Sequence, residues 1–243
     1  RSNACVVNQN CTSAMRALEI ASRNIMVGAT DIALVVGVEN MTQVPYMVAN
    51  ARSGARMGDT KMIDSLTHDA LVDSLVPGHM GMTAENVAVM YNITRDQCDE
   101  LAVRSHQNAI NATDNGIFKR EIVPVEVKTK KGVTIIETDE HPIRGCNMES
   151  IGRLKPAFKK DGGVVTAANA SGINDGASAA VIMSKQKAAE LGIEPLMKLV
   201  VSVGVGVDPQ IMGIGPAEAI PVALDKAGWN FDDVEYWELH EAF

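Results

Sequence analysis

The stretch Ala4-Cys5-Val6-Val7-Asn8-Gln9-Asn10-Cys11-Thr12-Ser13-Ala14 decides the fold class. Ala4 to Val7 is a short apolar run, and Asn8-Gln9-Asn10 are turn formers, so a buried strand is expected to end there. Thr12 and Ser13 are residues that cap helices. Ala14, Leu18, Ala21 and Ile25 then recur at helical spacing, and Gly28 closes the run. Ile32-Ala33-Leu34-Val35-Val36 reads as a second buried strand. Strand, helix and strand joined by short links predict a parallel βαβ unit and an α/β protein.

Working outward, the same grammar returns near the end of the chain. Pro216 to Ala227 reads as a helix stopped by Gly228, and Val234 to Leu239 reads as a strand. Gly28, Asp31 and Glu39 are echoed by Gly228, Asp233 and Glu241, which suggests two related α/β lobes. Between them, Met41 to His79 is polar and irregular. Ala84 to Tyr91 and Arg95 to Asn115 predict amphipathic helices, and Ile122 to Val127 and Val133 to Glu137 predict strands about a Lys130-Lys131-Gly132 turn. So long a polar excursion inside an α/β pattern reads as a functional insertion. Gly176 to Met183 resumes as a buried strand, Lys185 to Leu191 as a helix and Lys198 to Val203 as a further strand.

Composition narrows the function classes. The 243 residues are 46% hydrophobic and 21% charged, with aromatics at only 4%, a balance suited to close-packed helix-on-sheet layers. A net charge of −8 without a basic stripe speaks against nucleic acid. No apolar run reaches the ~18 residues of a membrane helix. Cys5, Cys11, Cys98 and Cys146 show neither C-x-x-C nor metal-ligand spacing, so a reducing compartment, no disulfides and no metal are expected.

The chemistry is expected at a few positions. Cys11 lies where a strand gives way to a helix, where backbone N–H groups and the helix dipole favour a thiolate and an adjacent oxyanion. A small cysteine filling a tight turn is the rival reading. Cys5, inside the strand, is expected to be buried and structural, and Cys98 and Cys146 structural or incidental. Asn169 to Ala177 is dense in small residues, which suits either close approach of a ligand or a tight turn. His79 lies between glycines before a helix. His240 ends a strand, where polar groups of α/β sheets commonly face a site.

Together these stretches resemble the thiolase family over nearly the whole chain. Asn8-Gln9-Asn10-Cys11-Thr12-Ser13-Ala14 is similar to the motif around the family's acyl-accepting cysteine, and His79-Met80-Gly81-Met82-Thr83-Ala84-Glu85-Asn86-Val87-Ala88 to its CoA-loop motif. Asn169 to Gly176, Gly213-Ile214-Gly215-Pro216 and His240-Glu241-Ala242-Phe243 resemble three further family blocks, in the family's order.

The resemblance implies the five-layered αβαβα thiolase fold, two similar mixed-sheet lobes with an inserted loop domain. Residues 1–40 and 167–194 are expected in the N-terminal lobe, 41–166 in the CoA-binding insertion and 195–243 in the C-terminal lobe. It also implies that Cys11 takes an acyl group as a thioester, its backbone N–H helping to hold the oxyanion. His79, Met80, Arg144, Phe158, Ala167 and Ser171 match positions lining CoA, Leu71 and Met212 match apolar wall positions, and Phe243 is expected beside the substrate. A second acetyl-CoA, deprotonated at its α-carbon, then attacks the acyl-cysteine in a Claisen condensation, and thiolysis is the reverse. Met57-Gly58-Asp59 and Asp139-Glu140-His141-Pro142 resemble the short-chain biosynthetic group, and the Arg52, Arg56 and Lys61 loop its tetramer-forming loop.

The resemblance thus implies acetyl-CoA or another acyl-CoA as partner, a homo-oligomer, a bacterial cytoplasm, and no cofactor other than coenzyme A as substrate carrier. Two departures stand out. His240 occupies a position that is Asn in most such thiolases, where the Asn holds a water for the enolate oxygen. The family's catalytic histidine and second cysteine follow the His240 block, and this chain carries neither. It is therefore expected to be the middle part of a longer thiolase, without proton-transfer groups of its own. A CoA-binding protein without turnover and a 3-ketoacyl synthase-like enzyme are the alternatives.

Overall fold

The computed structural model describes residues 2–130 and 132–243. In chain order it contains helix α1 (Ser13–Met26), strands β1 (Ile32–Glu39), β2 (Tyr46–Val48), β3 (Met62–Asp64), β4 (Val72–Asp73) and β5 (Gly78–His79), and helices α2 (Met80–Tyr91) and α3 (Arg95–Asp114). Strands β6 (Val125–Thr129) and β7 (Gly132–Ile136), helix α4 (Met148–Gly152), strand β8 (Gly176–Met183) and helices α5 (Lys185–Leu191) and α6 (Gly215–Ala227) follow. The chain divides into two compact units. The first runs from the chain's start through His79 and includes Ile173–Val207 and Ile214–Glu238. The second comprises Met80–Gly172, Asp208–Gly213 and Leu239–Phe243.

In the first unit, β1 pairs antiparallel with β8, Ile32 opposite Met183 and Glu39 opposite Gly176. Helix α1 covers one face of β1, so Ala33 and Gly37 are half-buried and Val35 is buried. The approach is close: a Cβ added to Gly37 would stand 2.7 Å from the Ala14 Cβ. The opposite face, with Leu34, Val36 and Val38, is open among the described residues. The base of the sheet is tied by Asp175, whose carboxylate accepts from the Thr42 N–H at 3.0 Å and the Thr42 hydroxyl at 2.6 Å. The hydroxyl bond, first among the causes, holds the Asp175 carboxyl below its ordinary range.

The structure departs from the sequence expectations at several segments. Ala4 to Val7 forms no strand and is largely exposed, and Cys5 is exposed rather than buried. Among the described residues Ile32 to Val36 therefore has no parallel neighbour; its partner is β8, far along the sequence, and the pairing is antiparallel and not that of a βαβ unit. Neither β1 nor β8 is buried on both faces, because α1 covers only one side. Lys198 to Val203 and Val234 to Leu239 form no ladder with any described residue and so no strand. His240 accordingly ends no strand. A strand exists only where a neighbour takes its N–H and C=O groups.

In the second unit the helices follow their sequence signals closely. Helix α3 begins with a capping box in which Thr94 accepts from the Gln97 N–H, and ends at Asn115. Helix α2 starts at Met80, four residues before the expected Ala84, because Gly78 and His79 pair with Val72 and Asp73 and deliver the chain directly into it. Strands β6 and β7 form a hairpin with Val125 opposite Ile136 and Thr129 opposite Gly132, a shift from the expected boundaries; Lys131 of the expected turn lies outside the described residues. Helix α4 was not legible in the sequence. Among the described residues the core forms two small clusters: Ala88, Val164 and Val165, flanked by Phe158, Ala170 and Phe243 among others, and Cys146, Ile151 and Ala168.

Candidate active site

Cys11 is exposed on the turn that enters α1. Asn10 before it adopts φ 48°, a left-handed conformation uncommon for a residue with a side chain and concentrated at functional turns. Hydrogen bonds lock the turn. The Thr12 N–H and hydroxyl both donate to the Gln9 carbonyl, at 3.1 and 2.8 Å. The Ser13 N–H and hydroxyl both donate to the Asn10 carbonyl, at 3.1 and 2.7 Å, while the same hydroxyl accepts from the Gln9 N–H at 2.8 Å. Thr12 and Ser13 were expected to cap α1 with their side chains. Their hydroxyls instead donate backward and fasten the turn, and the Thr12 side chain makes no cap bond. These bonds fix the backbone that carries the exposed thiol, and a thiol carried on a fixed backbone at a helix start is an arrangement able to serve nucleophilic acyl transfer.

The other three thiols are placed differently. Cys5 is exposed on the irregular segment before the turn. Cys98 is half-buried and Cys146 buried, and burial, seconded by the Asp99 carboxylate, raises both thiol pKa values. That keeps them protonated and poor nucleophiles. Leu71 and His79 belong, like Cys11, to the first unit. Leu71 closes a single π-helical turn, Leu66–Leu71, and is half-buried. His79, also half-buried, has its pKa lowered by burial, so its imidazole stays neutral at pH 7.

The second unit holds Met80, Arg144, Phe158, Ala167, Ser171, Met212, His240 and Phe243. Helix α2 organises most of them. Gly81 on α2 lets the Phe158 ring lie on the helix backbone: a Cβ built there overlaps the ring. Phe158 meets Phe243 edge-on, with centroids 6.2 Å apart and planes at 87°. Asn86 donates to the Gln210 carbonyl at 2.9 Å and so fastens the loop carrying Met212. Glu85 is 2% exposed, and its carboxylate accepts from the Val164 N–H at 3.0 Å and the Val165 N–H at 3.0 Å. Those two residues open the segment that carries Ala167 and Ser171, both exposed. The Ser171 N–H donates to the Ala242 carbonyl at 3.0 Å, joining that segment to the His240 block.

Arg144 stands apart from that cluster. Its guanidinium makes two bonds to Asp114, at 2.9 and 2.6 Å, and both side chains are well exposed. The pair raises the Arg144 pKa and lowers that of Asp114, in each case mainly through the hydrogen bond between them. Among the described residues no group of three His, Cys, Asp or Glu side chains is placed to hold a metal ion, and no helix is long and apolar enough to cross a membrane. The buried Glu85 and Asp99, the half-buried Arg95 and Asn169, and the contact at Gly81 were not legible in the sequence as parts of the site. A glutamate among the small residues Gly81, Thr83, Ala84 and Ala88 on one helix was the available signal.

Two outcomes follow. Gly81→Ala should lower stability by about 1–3 kcal/mol, because overpacking against Phe158 outweighs the gain in helix propensity; a urea melt at or above the wild-type midpoint would contradict the contact. In an NMR titration the His79 ring should change state with a midpoint below the ordinary 6.5. Since the unfolded chain then takes up the proton first, His79 should cost stability as pH falls through 6.5 and below; a midpoint above 6.5 would contradict this.

The comparisons with known proteins agree on one family. A family profile described as "Thiolase, N-terminal domain" matches residues 1–186, and one described as "Thiolase, C-terminal domain" matches residues 193–243. An "Acetyl-CoA acetyltransferase" of Syntrophomonas wolfei is 48% identical over 242 residues, covering 99% of this chain and 61% of that protein. A solved "Acetyl-CoA acetyltransferase" structure from the same organism superposes with a TM-score of 0.96 at 61% identity, over 100% of this chain and 61% of that one. The human mitochondrial 3-ketoacyl-CoA thiolase superposes at 0.92 with 42% identity, over 98% of this chain and 60% of that one. The chain thus spans about 61% of the length of the relatives it matches. With both profiles in order and the fold superposing this closely, the α/β architecture is the thiolase fold and the chain belongs to the thiolase family.

Proposed function

We propose that the chain serves acyl transfer between CoA thioesters, with Cys11 as acyl acceptor. The observation that carries this reading is the exposed thiol of Cys11 on a left-handed, hydrogen-bonded turn at the start of α1. The Cys11 thiolate adds to the thioester carbonyl of a first acyl-CoA, and the tetrahedral oxyanion collapses with loss of CoA thiolate, which is released protonated. A second acetyl-CoA loses an α-proton to a base, and its carbanion displaces the Cys11 thiolate to give the 3-ketoacyl-CoA. Thiolysis runs the same bonds backward. The relatives named acetyl-CoA acetyltransferase favour acetyl-CoA as both donor and acceptor.

His79, Met80, Phe158, Ala167 and Ser171 are proposed to hold the pantetheine arm, Arg144 the nucleotide end, and Leu71, Met212 and Phe243 to bound the acyl group. An exposed His240 donates a hydrogen bond to the enolate oxygen, as an Asn at that position would through a water. Coenzyme A enters as substrate carrier, and this chemistry asks for no metal or other cofactor. The exposed loop with Arg52, Arg56 and Lys61 is the proposed contact between copies of the chain, and four unpaired thiols suit a reducing compartment such as a bacterial cytoplasm.

Intact mass after incubation with acetyl-CoA tests the central step. The chain should gain one acetyl group, and Cys11→Ser should gain none. A gain that survives Cys11→Ser overturns the assignment of the nucleophile. A folded wild-type chain that binds CoA and gains nothing supports binding without turnover instead.

A further inference from the structure

The segment Val164 to Ser171 belongs to no helix and no strand, yet it is the most deeply buried stretch of the second unit. Thr166 is fully buried, Val164, Val165 and Ala168 are buried, Asn169 and Ala170 are half-buried, and Ala167 and Ser171 are exposed. Buried backbone polar groups without regular structure must find side-chain partners or the segment does not hold its shape. Glu85 supplies two of them by accepting from the Val164 and Val165 N–H groups.

Asn169 supplies two more from within the segment, while the Val165 carbonyl accepts from the Ala157 N–H at 2.8 Å and the Ala168 N–H donates to the Thr166 hydroxyl at 3.3 Å. Its Oδ1 accepts from the Thr166 N–H at 2.7 Å. Its Nδ2 donates to the Val164 carbonyl at 2.8 Å and to Asp99 Oδ1 at 2.8 Å. Asp99 is 1% exposed, and its other oxygen accepts from Arg95 Nε at 2.7 Å. The remaining nitrogens of Arg95 donate to the Leu154 and Ile151 carbonyls at 3.1 and 2.9 Å. Each polar atom of Asn169 therefore has one permitted role. Turning the amide over would set its oxygen against a carboxylate and a carbonyl and its NH₂ against an N–H group.

Beyond Asn169 the constraint continues. The Ser171 N–H donates to the Ala242 carbonyl, and Phe243 packs on Phe158 and on the Ala88, Val164 and Val165 cluster. We infer that Asn169 is a positioning residue that sets two parts of the site at once: Ala167 and Ser171, proposed to receive the pantetheine arm, and the His240 block reached through the Ser171–Ala242 bond. This rests on the functional reading above for its ligand, but not for its mechanics. Asn169 touches no substrate; it acts through the backbone it holds.

The isosteric Asn169→Asp variant is the sharpest probe. When ionised, the carboxylate it introduces faces the Asp99 carboxylate and the Val164 carbonyl, with Arg95 of α3 the nearby cation and Glu85 of α2 a second nearby anion. When protonated, the same carboxyl can still accept from Thr166 and donate to Asp99. The experiment measures CoA affinity calorimetrically at pH 5.5 and pH 8 for the wild-type chain, Asn169→Asp and Asn169→Ala, and amide hydrogen exchange at Ser171 without ligand.

The inference expects CoA affinity to fall roughly tenfold or more in Asn169→Ala at both pH values. In Asn169→Asp it should fall at pH 8 and recover at pH 5.5. Ser171 exchange should quicken in step, while each variant still unfolds cooperatively. Wild-type affinity and unchanged Ser171 exchange in a folded Asn169→Ala would overturn the inference, as would loss in Asn169→Asp that is the same at both pH values. If the wild-type chain binds no CoA but Ser171 exchange responds as stated, the functional reading fails and the positioning role stands. Should Asn169→Ala not fold, the pH response of Asn169→Asp decides alone.

Discussion

The second unit hangs on a carboxylate that has been taken out of water. Glu85, 2% exposed on α2, accepts the N–H groups of Val164 and Val165. An unpaired carboxylate in that position would cost several kcal/mol, so the helix and the irregular segment are obliged to stay together. The rest follows from where α2 is then fixed. Gly81, one turn earlier, admits Phe158; Asn86, the next residue, fastens the Gln210 loop with Met212; and the segment itself passes its geometry to Ala242. One short helix thereby serves as the common reference for residues drawn from four separated parts of the sequence.

The first unit solves a different problem with different means. Cys11 stands exposed on a turn, and an exposed loop is ordinarily mobile. The turn is held instead by hydroxyls of the two residues that follow it, and by α1 lying close on β1 through Ala14 and Gly37. Helix α1 itself is quietened by Glu19, buried between Arg16 and Arg23 on successive turns. The contrast with Cys98 and Cys146, whose thiols burial pushes up, shows how position rather than residue type sorts the cysteines.

What the sequence displayed was local, and what it hid was not. Helices α3, α5 and α6 were legible because their ends are written in neighbouring residues: Thr94 with Gln97, and glycines at 192 and 228 in the left-handed conformation that ends a helix. The motifs around Cys11 and from Asn169 to Gly176 were legible for the same reason. The pairing of β1 with β8 was not, since its partners lie far apart in the chain and an apolar run carries no mark of its neighbour's direction. Nor was the Glu85, Arg95, Asp99 and Asn169 frame, which exists only once two helices and an irregular segment have met. Ala4 to Val7 misled because apolar composition speaks of a strand only where something completes the ladder.

Native-state hydrogen exchange at the Val164 and Val165 amides tests this account most directly. If the Glu85 carboxylate is the constraint on which the unit depends, both amides should exchange only through global unfolding, with the same free energy as the slowest amides of α2 and α3. Exchange through a low-energy local opening, with α2 and α3 still protected, would show that the segment is held by something weaker and contradict the account.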